Sequence, residues 1–175
     1  MIRHLAGPDY RVMPWANGRG TTTELWREDR VGRLVWRLSR ASVVEDGPFS
    51  LFPGVERNLT VLTGPGFDLV GDGVLLRADP FRPIAFGGDM AVRAAGVLAP
   101  SDDFNVMTAA ENPKPEVLVL TGLQTIAATE ARTAVYFTGP GRFAGNAVAG
   151  CDLIMTDEPC IVESVAPMLV VILAP

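Results

Sequence analysis

The chain has 175 residues, of which 48% are hydrophobic and 20% are charged, so it can bury a core and wholesale disorder is excluded. Its net charge of −5 argues against a general nucleic-acid or membrane-surface binder. Eighteen glycines and fourteen prolines break the sequence into short segments, which favours a turn-rich β protein.

Strand-like alternation is clearest at residues 34–43, where Leu34, Trp36 and Leu38 fall on one face and Arg37 falls on the other. The Gly71-Asp72-Gly73 step between two apolar runs predicts a hairpin turn. Further strands are predicted at residues 57–64, 66–78, 90–99 and 103–109.

After the proline-rich connection at residues 111–116, a second run of strands is predicted at residues 117–127, 133–139, 147–155, 159–164 and 167–174. No segment has apolar residues at helical spacing over three turns. Two runs of strands predict two stacked β-sandwiches or barrels with a seam near residues 98–116. We therefore expect an N-terminal barrel with an N-terminal arm at residues 1–100 and a second barrel at residues 101–175.

Charge is distributed unevenly between these halves. Residues 1–100 hold 12 basic and 11 acidic side chains, whereas residues 101–175 hold 3 and 9, and Lys114 is the single lysine. The planar fork of arginine suits carboxylates, so an anionic small ligand is expected in the first half, although codon preference also explains the arginine bias. The acidic second half offers a docking or homodimer face as an alternative role.

The sequence lacks the residues that several kinds of metal, catalytic and nucleotide-binding site require. One histidine, His4, and two cysteines do not make a convincing metal site, and we expect neither a metal nor a cofactor. No nucleophile elbow, phosphate-binding loop or dinucleotide-binding glycine motif occurs. No apolar segment is long enough to span a membrane, and no signal peptide is visible, so we expect a cytoplasmic protein.

The stretch MPWANGRGTTTELW at residues 13–26 does not fit an ordinary core strand. Its glycines allow backbone N–H groups to approach a ligand, and Trp15 (or Trp26) is expected to wall a pocket. Asn17 and Thr23 supply neutral polar contacts, and Glu24 is expected to pair with an arginine. The alternative is a tight turn that leads into an edge strand.

Two arginines extend this interpretation. Arg57 follows a rigid turn between aromatic residues, and Arg37 points away from the apolar face of its strand. Together they are suited to hold a carboxylate by bidentate, charge-assisted bonds. The alternatives are an ion pair of Arg57 with Glu56 or Asp46, and a solvated strand face for Arg37.

Asn105 is a polar residue inside the apolar pattern at 103–109 and therefore calls for a buried partner or a ligand. A hydrogen bond to a neighbouring strand is the alternative role.

Taken in order, PWANGRGTTTEL, WRLS, DGPFSLFPGVER and DFN resemble the HutD/Ves family, in motifs that span residues 13–107. This resemblance implies an all-β bicupin of two fused cupin-like barrels that regulates histidine degradation. It implies a ligand such as N-formylglutamate, whose two carboxylates suit the arginines. The family usually has lysine and glycine where this chain has Ala16 and Arg19.

We therefore expect a small-molecule-binding regulatory protein whose ligand, a small anionic metabolite, contacts Trp15, Asn17, Thr23, Arg37, Arg57 and Asn105. A metal-independent isomerase or hydrolase with Glu24 as the base is the second hypothesis. A protein-interaction role is the third.

Overall fold

The computed structural model describes residues 1–15, 20–71, 73–127 and 131–173. It is an all-β structure that divides into two compact units, Arg11–Asn112 and Met1–Tyr10 together with Pro113–Pro175. These units differ from the predicted ranges because strand Ser101–Ala109 pairs within the first unit, and because the first ten residues lie in the second. The division after Asn112 falls inside the seam predicted at residues 98–116.

The unit Arg11–Asn112 contains a six-stranded and a four-stranded antiparallel sheet. The six-stranded sheet has the order β2-β3-β4-β11-β6-β9, and its strands are β2 (Arg11–Pro14), β3 (Thr21–Arg30), β4 (Arg33–Val43), β6 (Val55–Val61), β9 (Ile84–Gly87) and β11 (Ser101–Ala109). The four-stranded sheet has the order β5-β10-β7-β8, and its strands are β5 (Gly47–Pro48), β7 (Phe67–Gly71), β8 (Val74–Ala78) and β10 (Arg93–Ala95).

An apolar core joins the two sheets of this unit. Leu59 and Val61 of β6 pack with Phe67 and Leu69 of β7, and all four side chains are fully buried. Each such side chain contributes about 1.5–3 kcal/mol relative to an exposed one. Because strands alternate, the same face of the six-stranded sheet that carries this core also carries the polar residues described below.

The long hairpin of β3 and β4 has a two-residue turn at Val31-Gly32, with φ of 48° and 73°. Positive φ at both positions is typical of the type I′ turn that matches strand twist. The predicted hairpin at β7 and β8 is also formed, with Gly71 opposite Val74. Asp72, which the sequence placed in that turn, lies outside the described residues.

The second unit is built on one seven-stranded sheet. Its strands are β1 (Arg3–Leu5), β12 (Glu116–Ile126), β13 (Arg132–Phe137), β14 (Gly141–Phe143), β15 (Asn146–Val148), β16 (Leu153–Thr156) and β17 (Cys160–Leu173). Strand β17 is central, since β12 lies along one edge while β13 and β14 share the other. A short 3₁₀ helix at Gly7–Asp9 follows β1.

Strand β17 runs through Pro167, where the sequence predicted a break between two strands. The pairing of β12 shifts register between Leu120 and Gly122, which skips the segment around the proline. A proline has no N–H to donate, so it is tolerated in a strand where the ladder is interrupted.

Candidate functional site

A cavity of about 450 Å³ lies between the two sheets of the unit Arg11–Asn112. This volume is within the range of roughly 300–1,000 Å³ that is usual for small-molecule sites. Its lining includes residues of β4, β6 and β11 from the larger sheet, and of β5 and β10 from the smaller one. The walls are mainly apolar, and a few polar side chains converge on the interior.

Strand register places these polar side chains in rows across the larger sheet. Met107 of β11 lies opposite both Arg37 of β4 and Arg57 of β6. In the next row along β11, Asn105 lies opposite Ser39, and in the row after that Asp103 follows. The period of two in the sequence of β11 therefore brings residues 103, 105 and 107 to one face, and all three line the cavity.

Arg57 is a buried cation, with 6% of its surface exposed. Its guanidinium carbon lies 5.3, 5.4 and 4.9 Å from the ring centroids of Phe49, Phe52 and Phe86, distances at which cation–π attraction acts. Nη2 donates a hydrogen bond of 3.2 Å to Oδ1 of Asn105, and Nη1 donates one of 3.4 Å to the carbonyl oxygen of Ser50.

No carboxylate pairs with Arg57 within the described part of the chain, and its buried Nε has no hydrogen-bond acceptor there. Burial, reinforced by the nearby charge of Arg37, lowers the pKa of Arg57 to about 10. The guanidinium therefore stays protonated at neutral pH and provides a positive charge that has no counter-ion among the described residues. An anion that entered this cavity would supply the missing partner.

Arg37 has different surroundings, although it lines the same cavity. Its Nε donates a hydrogen bond of 2.7 Å to Oε2 of Glu24, and the two side chains are 12% and 15% exposed. The pairing of Glu24 with an arginine was expected from the sequence. Because this pair is neutral overall, Arg37 offers less uncompensated charge to a ligand than Arg57 does.

Asp103 is a fully buried carboxyl group in the cavity lining. Its Oδ1 accepts a hydrogen bond of 3.1 Å from Oγ of Ser101, whereas Oδ2 has no partner among the described residues. Burial raises the pKa of Asp103 to about 7, and the negative charge of Asp102 acts in the same direction. The group can therefore accept or donate a hydrogen bond near neutral pH.

Trp15 forms one wall of the cavity, as its position in the sequence suggested. Its Nε1 donates a hydrogen bond of 2.9 Å to Oγ1 of Thr22, and its backbone N–H donates one of 2.9 Å to the carbonyl oxygen of Gly20. A Cβ atom at Gly20 would lie 2.8 Å from the indole ring. The glycine is therefore needed for the ring to pack against the chain at this point.

The turn that carries Phe52 is fixed by Gly88. The backbone N–H of Phe52 donates a hydrogen bond of 2.7 Å to the Gly88 carbonyl oxygen, and the N–H of Gly88 donates one of 2.7 Å to that of Val55. A Cβ atom at Gly88 would lie 2.4 Å from the carbonyl oxygen of Phe52. This close approach holds an aromatic ring over Arg57.

The structure brings together four of the six side chains predicted to contact a ligand, namely Trp15, Arg37, Arg57 and Asn105. Thr23 lies opposite Arg40, and strand alternation puts it on the other face of the sheet, while Thr22 lines the cavity instead. Asn17 lies outside the described residues, as do Ala16 and Arg19.

Trp26, the alternative wall, stacks on Trp36 with ring centroids 6.3 Å apart. Trp36 alternates with the cavity-lining Arg37, so this aromatic pair lies on the opposite face of the sheet.

Sequence reasoning did not assign Asp103 to the site, although the motif DFN was noted. The signal was the alternation of residues 103, 105 and 107, because a strand that turns Asn105 towards a cavity also turns Asp103 there. Ser39 is a further lining residue, and the same alternation on β4 places it on the face of Arg37, whereas Phe49 follows β5 outside any strand and has no such signal.

Over the described ranges, no group of three His, Cys, Asp or Glu side chains is arranged to hold a metal ion. Nor does any helix in that part of the chain have the length and apolar character needed to cross a membrane.

An all-β unit with a ligand-sized cavity between its sheets is typical of cupin-like proteins. A cupin 2 conserved barrel domain protein from Leptotrichia buccalis matches the fold with a TM-score of 0.57 at 10% identity, over 88% of each chain. Residues 7–166 match the model of the HutD family, and the chain belongs to that family.

HutD from Pseudomonas fluorescens SBW25, solved in a formate condition, has a TM-score of 0.89 and 29% identity, covering 99% of this chain and 98% of that one. An uncharacterized 21.2 kDa protein in the hutC 3′ region of Pseudomonas putida is 40% identical over 62% of this chain. Protein Ves of Citrobacter koseri is 39% identical over 63%. The chain spans 58% and 61% of the lengths of these two curated relatives.

Proposed function

We propose that this HutD-family chain binds a small carboxylate in the cavity of the unit Arg11–Asn112, and that this binding serves a regulatory role in histidine utilisation. The observation that carries the proposal is Arg57, a buried guanidinium that faces the cavity without a counter-ion among the described residues. Burying such a charge is costly, and a carboxylate ligand would offset that cost by bidentate, charge-assisted hydrogen bonds.

The walls of the cavity suit the same class of ligand. Phe49, Phe52 and Trp15 would enclose the carbon skeleton of a small acid, while Asn105 holds the guanidinium in place. N-formylglutamate, the dicarboxylic acid of histidine degradation that the family resemblance suggested, is one candidate ligand, and the panel below compares it with monocarboxylic acids. The formate condition in which the relative from Pseudomonas fluorescens was studied makes formate a natural minimal probe.

The bicupin organisation is part of this proposal. Each unit has its own sheet structure and its own buried apolar cluster, which supports treating each as one cupin-like barrel. We place the function in the cytoplasm, as the sequence predicts. Homodimerisation through the acidic half stays a prediction that light scattering tests.

A thermal-shift titration with formate, N-formylglutamate, glutamate and urocanate tests the binding proposal. A ligand at 100 times its Kd stabilises a protein by about 2.7 kcal/mol, which corresponds to roughly 5–10 °C for a chain of this size. Arg57→Met should weaken the binding of the responding acid at least tenfold, since each lost charge-assisted bond is worth about 1.5–3 kcal/mol.

Arg33→Met is the matched control, because Arg33 is an exposed cation at the start of β4. It removes the same charge by the same substitution and should leave the shift unchanged. An acid that raises the unfolding temperature of both variants as much as that of the original chain would contradict the assignment to Arg57.

Metal-independent catalysis is a second candidate, and the observation that favours it is Asp103. A buried carboxyl with a pKa of about 7 is suited to transfer a proton at neutral pH. The sequence suggested Glu24 for this role, but Glu24 is paired with Arg37 at 2.7 Å. Turnover of a bound acid, followed by NMR and lost in Asp103→Asn, would establish catalysis.

A further inference from the structure

The carboxyl group of Asp103 divides into two oxygens with different surroundings. Oδ1 is occupied by the hydroxyl of Ser101 at 3.1 Å, whereas buried Oδ2 has no donor among the described residues. Asp103 has no exposed surface and lines the same cavity as Arg57. A buried polar atom without a partner is costly, and a ligand is one source of the missing hydrogen bond.

We propose that the ligand of this cavity is a monocarboxylic acid that also carries an N–H donor, with its carboxylate on Arg57 and its N–H group on Oδ2 of Asp103. This inference rests on the proposed function and specifies the second recognition contact of the same site. The donor class includes an ammonium group, an imidazole and an amide.

The spacing of the two contacts follows from strand geometry. Asp103 and Asn105 are two residues apart on β11, which places their Cα atoms roughly 6.6–6.8 Å apart. The guanidinium of Arg57 is held at 3.2 Å from Oδ1 of Asn105. Because the guanidinium reaches the row of Asn105, we expect the carboxylate and the donor of the ligand to be separated on the order of 6 Å, which a linker of three or four atoms spans.

The charge balance of the cavity favours one carboxylate over two. Arg37 is already paired with Glu24, so Arg57 is the cation in the described lining that has no carboxylate partner. A second ligand carboxylate that reached the far row would meet Asp103, and Glu45 and Asp46, both exposed, also line the cavity. The ionised carboxylate of Asp103 repels a second carboxylate, whereas it attracts an N–H donor.

The protonation state of Asp103 determines whether it binds a hydrogen-bond donor or an acceptor of the ligand. The charged groups around Asp103 are Arg37 and Arg57, which line the cavity from β4 and β6, and Asp102, which precedes Asp103 in the chain. Burial raises the pKa of Asp103 to about 7. Above that pH the carboxylate is an acceptor, so affinity for an acid with an N–H donor should increase as the pH rises from 6 to 8. Affinity for a ligand acceptor would change in the opposite direction.

Three acids of equal length test the inference by isothermal titration calorimetry at pH 6 and pH 8. The acids are 4-aminobutyrate, pentanoate and glutarate, which carry an ammonium, a methyl and a carboxylate group at the same position. We expect 4-aminobutyrate to bind at least tenfold more tightly than pentanoate at pH 8, and glutarate to bind most weakly. Shortening to aminoacetate should abolish the advantage of the ammonium group, because the linker no longer spans the two contacts.

Asp103→Asn is the matched variant, since it keeps the shape of the side chain. The hydroxyl of Ser101 would retain the amide oxygen as its acceptor, so the NH₂ group would occupy the position of Oδ2 and present a donor. The variant should lose the preference for 4-aminobutyrate over pentanoate, which is measured as the ratio of the two Kd values in the same variant. The wild-type comparison of the three acids does not depend on the folding of any variant.

The outcomes separate this inference from the proposed function. Equal binding of the three acids, abolished by Arg57→Met, would overturn the donor contact and leave the carboxylate site intact. A preference for glutarate that is stronger at pH 6 would show that Asp103 donates, and would also overturn it. Failure of all acids in both panels to bind would overturn the two proposals together.

Discussion

Arg57 and Arg37 lie two strands apart on one sheet face, opposite the same Met107, yet their surroundings give them different roles. Arg37 is paired with Glu24 at 2.7 Å, whereas Arg57 contacts aromatic rings and neutral oxygens. The sequence predicted that both arginines face a common interior. It did not distinguish the paired cation from the unpaired one, because that depends on which neighbouring strand supplies Glu24.

The two arginines should respond in opposite directions to the same substitution. Arg57→Met removes an uncompensated buried charge while keeping the bulk of the side chain, so it should raise the free energy of unfolding of the ligand-free protein by about 1–3 kcal/mol. Arg37→Met leaves Glu24 without its partner and should lower that free energy by about 2 kcal/mol. Urea denaturation of both variants measures the difference. A large loss of stability in Arg57→Met would show that the guanidinium is structural.

Asp103 makes the stability of the protein depend on pH. Its pKa is about 7 in the folded chain and 3.8 as the ordinary value, so the folded state holds the proton more tightly. The contribution of Asp103 to the free energy of unfolding is complete below about pH 4. It is lost as the pH rises to 7, at about 1.4 kcal/mol per pH unit and up to about 4 kcal/mol in total.

Asp103→Asn should remove this dependence, because an amide does not titrate. The free energy of unfolding of the variant should therefore equal that of the original chain near pH 4 and should be higher at pH 8. Urea denaturation across that pH range measures both values. Parallel pH profiles of the two proteins would contradict the assignment of the titration to Asp103.

At the scale of strands, alternation carried most of the correct predictions. The polar and apolar faces of β4 and β11 could be read from their period of two, and the glycine step of the β7–β8 hairpin marked its turn. Two features could not be predicted from local sequence. Strand β17 continues through Pro167, because a register shift in its partner removes the need for an N–H donor there.

Strand β3 was the second such feature, since the sequence offered a turn that leads into an edge strand as the alternative for its first residues. Three consecutive threonines, residues 21–23, show no alternation, so the sequence did not indicate which hydroxyl faces the interior. Pairing with β4 decides this, because Thr22 lies opposite Ala41 and Thr23 lies opposite Arg40.

Adjacent threonines of β3 give a matched test of this face assignment. Thr22→Val removes the acceptor of the Trp15 indole N–H and should weaken ligand binding roughly 2- to 12-fold, in line with about 0.5–1.5 kcal/mol for one hydrogen bond. Thr23→Val makes the same change on the opposite face and should leave the Kd within twofold. Calorimetric titration of both variants measures the effect, and a larger loss in Thr23→Val would reverse the assigned faces.

At the scale of the whole chain, the order of the motifs was more informative than any one of them. PWANGRGTTTEL, FPGVER and DFN are short and individually unspecific, but described residues of each motif, such as Trp15, Arg57 and Asn105, line one cavity. The family resemblance that they indicated is confirmed by a match over residues 7–166. The division between the units was harder to locate, because β11 follows the four-stranded sheet in sequence but pairs inside the six-stranded one.

Regulation of histidine utilisation is a prediction about the whole protein in its host. In a host that lacks its own HutD-family gene, the original chain should restore the normal response of histidine-degrading enzyme activity to added histidine. Arg57→Met should not restore it, because the folded variant would bind the metabolite that reports the state of the pathway at least tenfold more weakly, whereas Arg33→Met should. Enzyme activity in extracts and growth on histidine measure the response, with immunoblots to confirm equal protein levels. Full restoration by a well-expressed Arg57→Met chain would separate the regulatory role from the cavity and would favour a role in protein interaction.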